Sequence, residues 1–253
     1  MKKTILLLAI SSLLVAAYYT SSTPNKASNG PILYAISSSG VIYKIDATTC
    51  EVCPILNPQG LTGGILDLVV LPDGNILVQG NDGLRLYELP NNNPIWSNGV
   101  TYGGSILAPD GLVYLSELGN NPGLSVFDPA TNSITFIGAW PPNFIVSEFF
   151  YEGGILYAIA AQGPPPFTTK VIQVNVNNPD QSFVVVGNPP FNANGGITSN
   201  GYTTSISPSS TLSQYDVSTN TYNTLCTLPA GMNGLSELPP GVEPAPCLCT
   251  TFA

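Results

Sequence analysis

The chain has 253 residues and carries few charges, six basic against 15 acidic side chains, with no histidine and a formal net charge of −9. The missing histidine excludes an imidazole general base, Ser–His and Cys–His nucleophile pairs, and any zinc site with a His ligand. The scarcity of Lys and Arg excludes an electrostatic footprint for nucleic acid. Charged content is 8%, about a third of the roughly 25% usual in globular domains, while 43% apolar residues suffice for a buried core rather than a solvated tract.

In chain order, Met1-Lys2-Lys3 is a short positive region and Ile5 to Val15 an apolar run interrupted only by Ser11 and Ser12. Val15-Ala16-Ala17 then places small residues at the −3 and −1 positions of a cleavage site. This pattern predicts a secretory signal peptide over residues 1–17. The apolar stretch, counted to Tyr19, is shorter than the ~20 residues needed to span a bilayer, so no membrane span is expected after cleavage. The alternative is a retained anchor. Residues 18–29 follow as an N-terminal extension.

From residue 30 onward one pattern recurs: an alternating apolar strand, a Gly-containing turn, a second strand, a longer loop, a third strand ending in an acid or amide, a tight turn, and a fourth strand. The second strands read Ile32–Ile36, Asn75–Gln79, Leu112–Ser116, Ile155–Ile159 and Tyr202–Ile206. The third strands begin at Val41, Leu84, Leu124, Val171 and Leu212, at intervals of 43, 40, 47 and 41 residues. Four short strands every 40–45 residues is the period of a propeller blade, and no stretch after the signal sustains helical periodicity. The third strands end at Asp46, Glu88, Asp128, Asn175 and Asp216, residues suited to bonding backbone amides in the following turn. Pro72-Asp73-Gly74, Pro109-Asp110-Gly111 and Asn200-Gly201 mark turns between first and second strands.

The repeat has ragged ends that fit each other. The first unit starts at its second strand, and a lone strand-like piece, Gly234 to Leu238, follows the last full unit. Supplying the missing inner strand of the first blade closes a ring and removes an open sheet edge. The expected fold is therefore all-β, a five-bladed β-propeller over residues 30–240, with a Cys-containing tail over 241–253.

Units such as Ile32–Asp46 (ILYAISSSGVIYKID), Gly111–Asp128 and Ile155–Val176 resemble those of secreted bacterial β-propeller proteins, a class loosely related to YVTN and NHL-type propellers. The resemblance spans nearly the whole chain after the signal. It implies the fold, while members of the class range from binding platforms to surface-layer parts to enzymes.

Three features are candidates for function. The phrases Trp140-Pro141-Pro142-Asn143-Phe144, Pro164-Pro165-Pro166-Phe167 and Pro189-Pro190-Phe191 are expected on one face, around blades four and five. Trp140, Phe144, Phe167 and Phe191 would there form a binding face for a sugar, peptide or subunit; alternatively, they fold down and plug the ring. Asp67, Glu148 and Glu237 align as acids of inner strands. They are expected either to accept backbone hydrogen bonds between blades, to hold Ca²⁺ in the central channel, or to act in glycoside cleavage, as three channel acids do in some five-bladed propeller enzymes.

The third candidate is the set of five cysteines, Cys50, Cys53, Cys226, Cys247 and Cys249, which can pair in an oxidising compartment. Cys50-Glu51-Val52-Cys53 has the CxxC form but a strand-like context and no second CxxC, which argues against zinc or redox chemistry. The tail should leave on the hairpin-turn face, where Cys50 opens a fourth strand, so a disulfide is expected between Cys50 and Cys247 or Cys249. An odd count leaves one thiol unpaired or joined to another chain.

Two function classes follow. One is a non-enzymatic secreted or cell-surface propeller that binds other copies of itself or a surface protein or glycan, as an envelope, sheath or filament subunit. The other is a secreted polysaccharide hydrolase or lyase using the channel carboxylates.

Overall fold

The computed structural model describes residues 31–119, 121–163, 167–189, 201–204, 210–229 and 231–248. Blade 1 takes β1 (Ile32–Ser37), β2 (Ile42–Asp46) and β3 (Val52–Leu56). Blade 2 takes β4 (Ile65–Val70), β5 (Ile76–Gly80), β6 (Gly83–Tyr87) and β7 (Pro94–Asn98). Blade 3 takes β8 (Tyr102–Leu107), β9 (Val113–Glu117), β10 (Gly123–Asp128) and β11 (Ser133–Ala139). Blade 4 takes β12 (Phe144–Glu152), β13 (Ile155–Gln162), β14 (Thr168–Gln173) and β15 (Phe183–Val186). Blade 5 takes β16 (Tyr202–Thr204), β17 (Thr211–Asp216) and β18 (Thr221–Thr227). The last strand, β19 (Met232–Glu237), returns to blade 1, whose sheet order is β19-β1-β2-β3. The protein is thus a five-bladed β-propeller closed by its C-terminal strand, as the ragged repeat ends predict.

Strand alternation decides which blade each side chain meets. In β1, Tyr34 and Ile36 pack on Leu68, Val70 and Val78 of blade 2, while Leu33 and Ala35 pack on Leu212 and Leu228 of blade 5. Val69 and Leu77 meet Tyr102, Leu115 and Phe127 of blade 3. Blades 3 and 4 bury Ile106, Phe149 and Ile172, and blades 4 and 5 bury Phe150, Val171 and Tyr215. The core is therefore five interblade seams rather than one central cluster.

The acids and amides ending the third strands mostly do what their short side chains suit. Asp46 Oδ1 accepts from the Thr48 and Thr49 amides, Asp128 Oδ1 from Ala130, Asn175 Oδ1 from Asn177 and Asn178, and Asp216 Oδ1 from Thr219. These local bonds satisfy turn amides that no ladder reaches. At Glu88 the turn is bonded through its backbone, Asn91 N–H to Glu88 C=O.

Candidate functional site

The inner strands β19, β4, β8 and β12 define the channel, and their registers fix which residues share a level. Asp67 lies opposite Gln79, Glu148 opposite Ile159, and Gly234 opposite Ile36. In β8 the same level falls at Gly103-Gly104, inside the bulge between Tyr102 and Ser105. Glu237 lies opposite Leu33, at the other end of its strand. Asp67 and Glu148 are therefore equivalent, while Glu237 is not: Gly234 holds the matching place in blade 1. The register of the closing strand is shifted three residues from the alignment the sequence suggests.

Glycine at that place is a packing requirement. A Cβ on Gly234 would lie 2.5 Å from both Cα and Oδ1 of Asp67, and one on Gly104 would lie 2.2 Å from the Ser147 carbonyl oxygen and 2.7 Å from Glu148 Cα. Acid and glycine alternate around the described part of the ring, and each acid has a glycine-bearing strand closed against it.

Asp67 is fully buried. Its Oδ2 accepts the Ser105 N–H and the Ser105 hydroxyl, both at 2.8 Å. Oδ1 has no hydrogen-bond partner of good geometry, although the Leu68 and Leu235 amides are close enough to favour its charge. Burial outweighs these donors and pushes the carboxyl up to about 7. Glu148 is also buried. Desolvation first, and the Asp67 charge second, hold it well above the usual carboxylate range. Gln79 is buried beside Asp67. Two residues along from Leu77 in β5, it faces blade 3 on the same side as Asp67, and its Oε1 and Nε2 are buried with no partner.

The channel opens on the hairpin-turn face as a pocket of about 390 Å³, lined by Ser105, Tyr151, Leu235, Glu237 and Pro240 among others. Ser105 connects this pocket to Asp67, and Glu237 stands in its wall. Among the described residues no three acids or cysteines gather as a metal-binding cluster.

The tail crosses the same face, and its bonds correct the expected disulfide. Cys50 pairs with Cys226, and Cys53 pairs with Cys247. Strand alternation is the reason. Tyr34, Lys44 and Cys53 are in register across blade 1, and Tyr34 and Cys53 pack into the seam with blade 2, the side on which the tail runs. The tail is fixed there by Ala245 N–H to the Tyr34 hydroxyl at 2.7 Å, Lys44 Nζ to the Ala245 carbonyl at 2.9 Å, and Leu248 N–H to the Pro54 carbonyl. Cys50, in the turn before β3, instead reaches β18 of blade 5. Cys249 lies outside the described residues. Between the tail and the blade 2 turns runs a groove of about 790 Å³, bordered by Pro72, Asp73, Glu88, Val242 and Glu243.

The aromatic face is also different from expectation. Trp140 is only 5% exposed; its Nε1 donates to Ser116 Oγ at 3.3 Å and its ring packs on Phe149. It belongs to the seam between blades 3 and 4, neither displayed nor plugging the ring. Phe144 is half-buried against that seam. Phe167 is 51% exposed, and Phe191 and Pro164–Pro166 lie outside the described residues. Sequence reasoning missed Gln79 and Ser105. Gln79 was visible as the polar residue where Ile36 and Ile159 stand in other units; Ser105 gave no such signal.

No protein-family profile matches the chain, and no curated protein matches it. Solved structures do. TolB from Acinetobacter baumannii is 16% identical over 78% of this chain, with a TM-score of 0.49. This chain spans about half of that one, 53%. A gluconolactonase from Xanthomonas campestris is 8% identical over 81% of this chain and 80% of its own, with a TM-score of 0.48. A protein of unknown function from Bacteroides caccae is 11% identical over 83% of this chain and 99% of its own, with a TM-score of 0.50. At such identities the likeness is one of fold. The two disulfides fit an extracellular or periplasmic protein, and among the described residues no helix is long and apolar enough to cross a membrane.

Proposed function

We propose that the protein is a secreted or cell-surface propeller without catalytic function, which associates with copies of itself through the outer edges of blades 3 to 5. The observation that carries this reading is the contrast between protected and bare edge strands. In blade 1, β3 contains Pro54 and takes an amide bond from the tail residue Leu248. In blade 2, β7 begins with Pro94. Proline and covering segments are the usual means of blunting a sheet edge. β11, β15 and β18 contain neither proline nor any charged residue. They expose large apolar side chains, foremost Phe183 at 54% and Val184 and Val185 at 40% each. Bulges occur at the outer pairing of all five blades, so they do not separate the two groups. Low charge removes the repulsion that would oppose such contacts.

The channel acids support the non-enzymatic side of this reading. Asp67 is fully enclosed and cannot touch a substrate, and Glu237 is at a different level, whereas glycoside cleavage needs two carboxyls flanking one bond. Sedimentation velocity and electron microscopy test the proposal. The purified chain should form concentration-dependent assemblies that Val184→Lys disperses while the melting temperature is kept. A monodisperse monomer at all concentrations, or hydrolysis of a polysaccharide, would refute it.

A further inference from the structure

The groove between the tail and the blade 2 turns is rich in hydrogen-bond acceptors and poor in donors. Asp73, Glu88 and Glu243 border it, and no basic side chain does. Its apolar lining includes Ile55, Leu89, Val242 and four prolines. One wall is the tail itself, eight consecutive residues from Gly241 to Leu248, so the groove follows a length of chain. Along that wall the backbone donors are missing or spent elsewhere. Pro244 and Pro246 have no N–H. The Val242 N–H goes to the Pro239 carbonyl, the Ala245 N–H to the Tyr34 hydroxyl, and the Leu248 N–H to the Pro54 carbonyl. Lys44 is spent on the Ala245 carbonyl and does not line the groove. Asp73 accepts from the backbone and side-chain amides of Asn75, whereas Glu88 and Glu243 are exposed and make no side-chain hydrogen bond among the described residues. An occupant must therefore bring donors and positive charge on an apolar frame.

We propose that this groove docks an extended segment of a different protein, in which lysine or arginine alternates with proline or aliphatic residues. The cationic heads meet Glu88, Glu243 and Asp73 at the rim, and the apolar residues cover Ile55, Leu89 and Val242. A second copy of this chain offers no such segment among the described residues: Arg85 is held bidentate by Asp82, and Lys44 and Lys170 reach backbone carbonyls. The Cys53–Cys247 bridge and the tail bonds hold the wall in place before binding, so little ordering of the tail opposes docking. Ion pairs at an exposed rim contribute about a factor of 1.5–5 each. The complex is therefore weak and salt-dependent, with a Kd on the order of 0.1–1 mM at low salt. The groove lies against blades 1 and 2, and the proposal does not rest on association through the edges of blades 3 to 5.

The probe is a capped heptapeptide, Lys-Pro-Val-Lys-Pro-Val-Lys, titrated into the full chain with both disulfides intact and followed by backbone NMR shifts. The expected result is one saturable site with shifts centred on Leu89, Val242 and Glu243, weakened about three- to tenfold when salt is raised to about 0.3 M. Glu88→Gln combined with Glu243→Gln should weaken binding about 2- to 25-fold. Glu51→Gln, which removes a charge from the blade 1 turn on the same face, should change it less than about twofold. Two further peptides keep the test open if a variant does not fold: glutamate in place of each lysine should abolish binding, and Gly-Ser in place of each Pro-Val should weaken it at least about tenfold. Four outcomes overturn the proposal: no saturable shift up to about 5 mM peptide, beyond the expected range; equal binding of the glutamate peptide; equal binding of the Gly-Ser peptide or an equal effect of Glu51→Gln, either of which leaves only a diffuse field; or a concentration-dependent dimer that Glu88→Lys disperses, which makes the occupant a second copy.

Discussion

Removing the two disulfides separately and together should reveal that they are coupled, and the size of the coupling follows from where they sit. Cys50–Cys226 joins residues 176 apart and Cys53–Cys247 residues 194 apart. By the chain-entropy model either one, alone, restricts the unfolded chain by about 5 kcal/mol. They interleave almost end to end, however. Once Cys50 and Cys226 are joined, the second bridge closes only the short path from Cys50 to Cys53 and from Cys226 to Cys247, roughly 25 residues, worth about 3.5 kcal/mol. Replacing either pair with alanine should therefore cost about 3.5 kcal/mol, and replacing both about 9, exceeding the sum of the singles by about 2 kcal/mol. For a chain of this size each single loss lowers the melting temperature by roughly 7–14 °C. Urea unfolding of the three variants, followed by tryptophan fluorescence at constant pH, measures the cycle. Strict additivity, or a Cys53/Cys247 variant as stable as the parent, would refute the reasoning. The latter would mean that the tail hydrogen bonds hold ring closure without the bridge.

Three further outcomes are expected. Asp67 is raised from 3.8 to about 7 in the folded chain, so the native state binds more protons between those values and stability falls as pH rises through that window. At 1.36 kcal/mol per pH unit the interval is on the order of 4 kcal/mol, and Asp67→Asn, in chelator, should remove a slope of that order between pH 4 and 7 in urea titrations; an unchanged slope would show that Asp67 ionises normally. Gly234→Ala places a Cβ against Asp67 and should cost at least about 2–3 kcal/mol, whereas Gly99→Ala, with open space around it, should change stability by less than about 0.5 kcal/mol. Trp140→Phe removes the bond to Ser116 and leaves a void beside Phe149, so a loss of about 1–3 kcal/mol is expected by thermal unfolding; no loss would place Trp140 at the surface.

What was legible and what was not divides along the range of the interactions. The blade period, the Asx-type turns at Asp46, Asp128, Asn175 and Asp216, and the closure of the ring by the last strand all rest on neighbours in sequence or on a repeat that shows itself at a fixed interval. The channel was legible only in part. Asp67 and Glu148 were found because each unit repeats the same inner strand, but Glu237 was misplaced, since the closing strand lies alone and its register is set by pairing with β1 rather than by its own letters.

The sequence by itself determined the number of blades, the alternation that makes each strand face two neighbours, and the scarcity of charge that leaves the surface to amides, hydroxyls and apolar edges. Only the tertiary structure decided which cysteines meet, that Trp140 belongs to a seam, and that Gln79 is buried beside Asp67 without a partner. Those outcomes depend on which side of a strand a residue occupies and on how far a partner strand has slipped. A slip of one residue reverses every side chain, and a slip of three carries an acid from the channel level to its mouth. Nothing in the local chemistry of Glu237 or Cys53 records that displacement, because the contacts that fix it come from segments some 200 residues away in the chain.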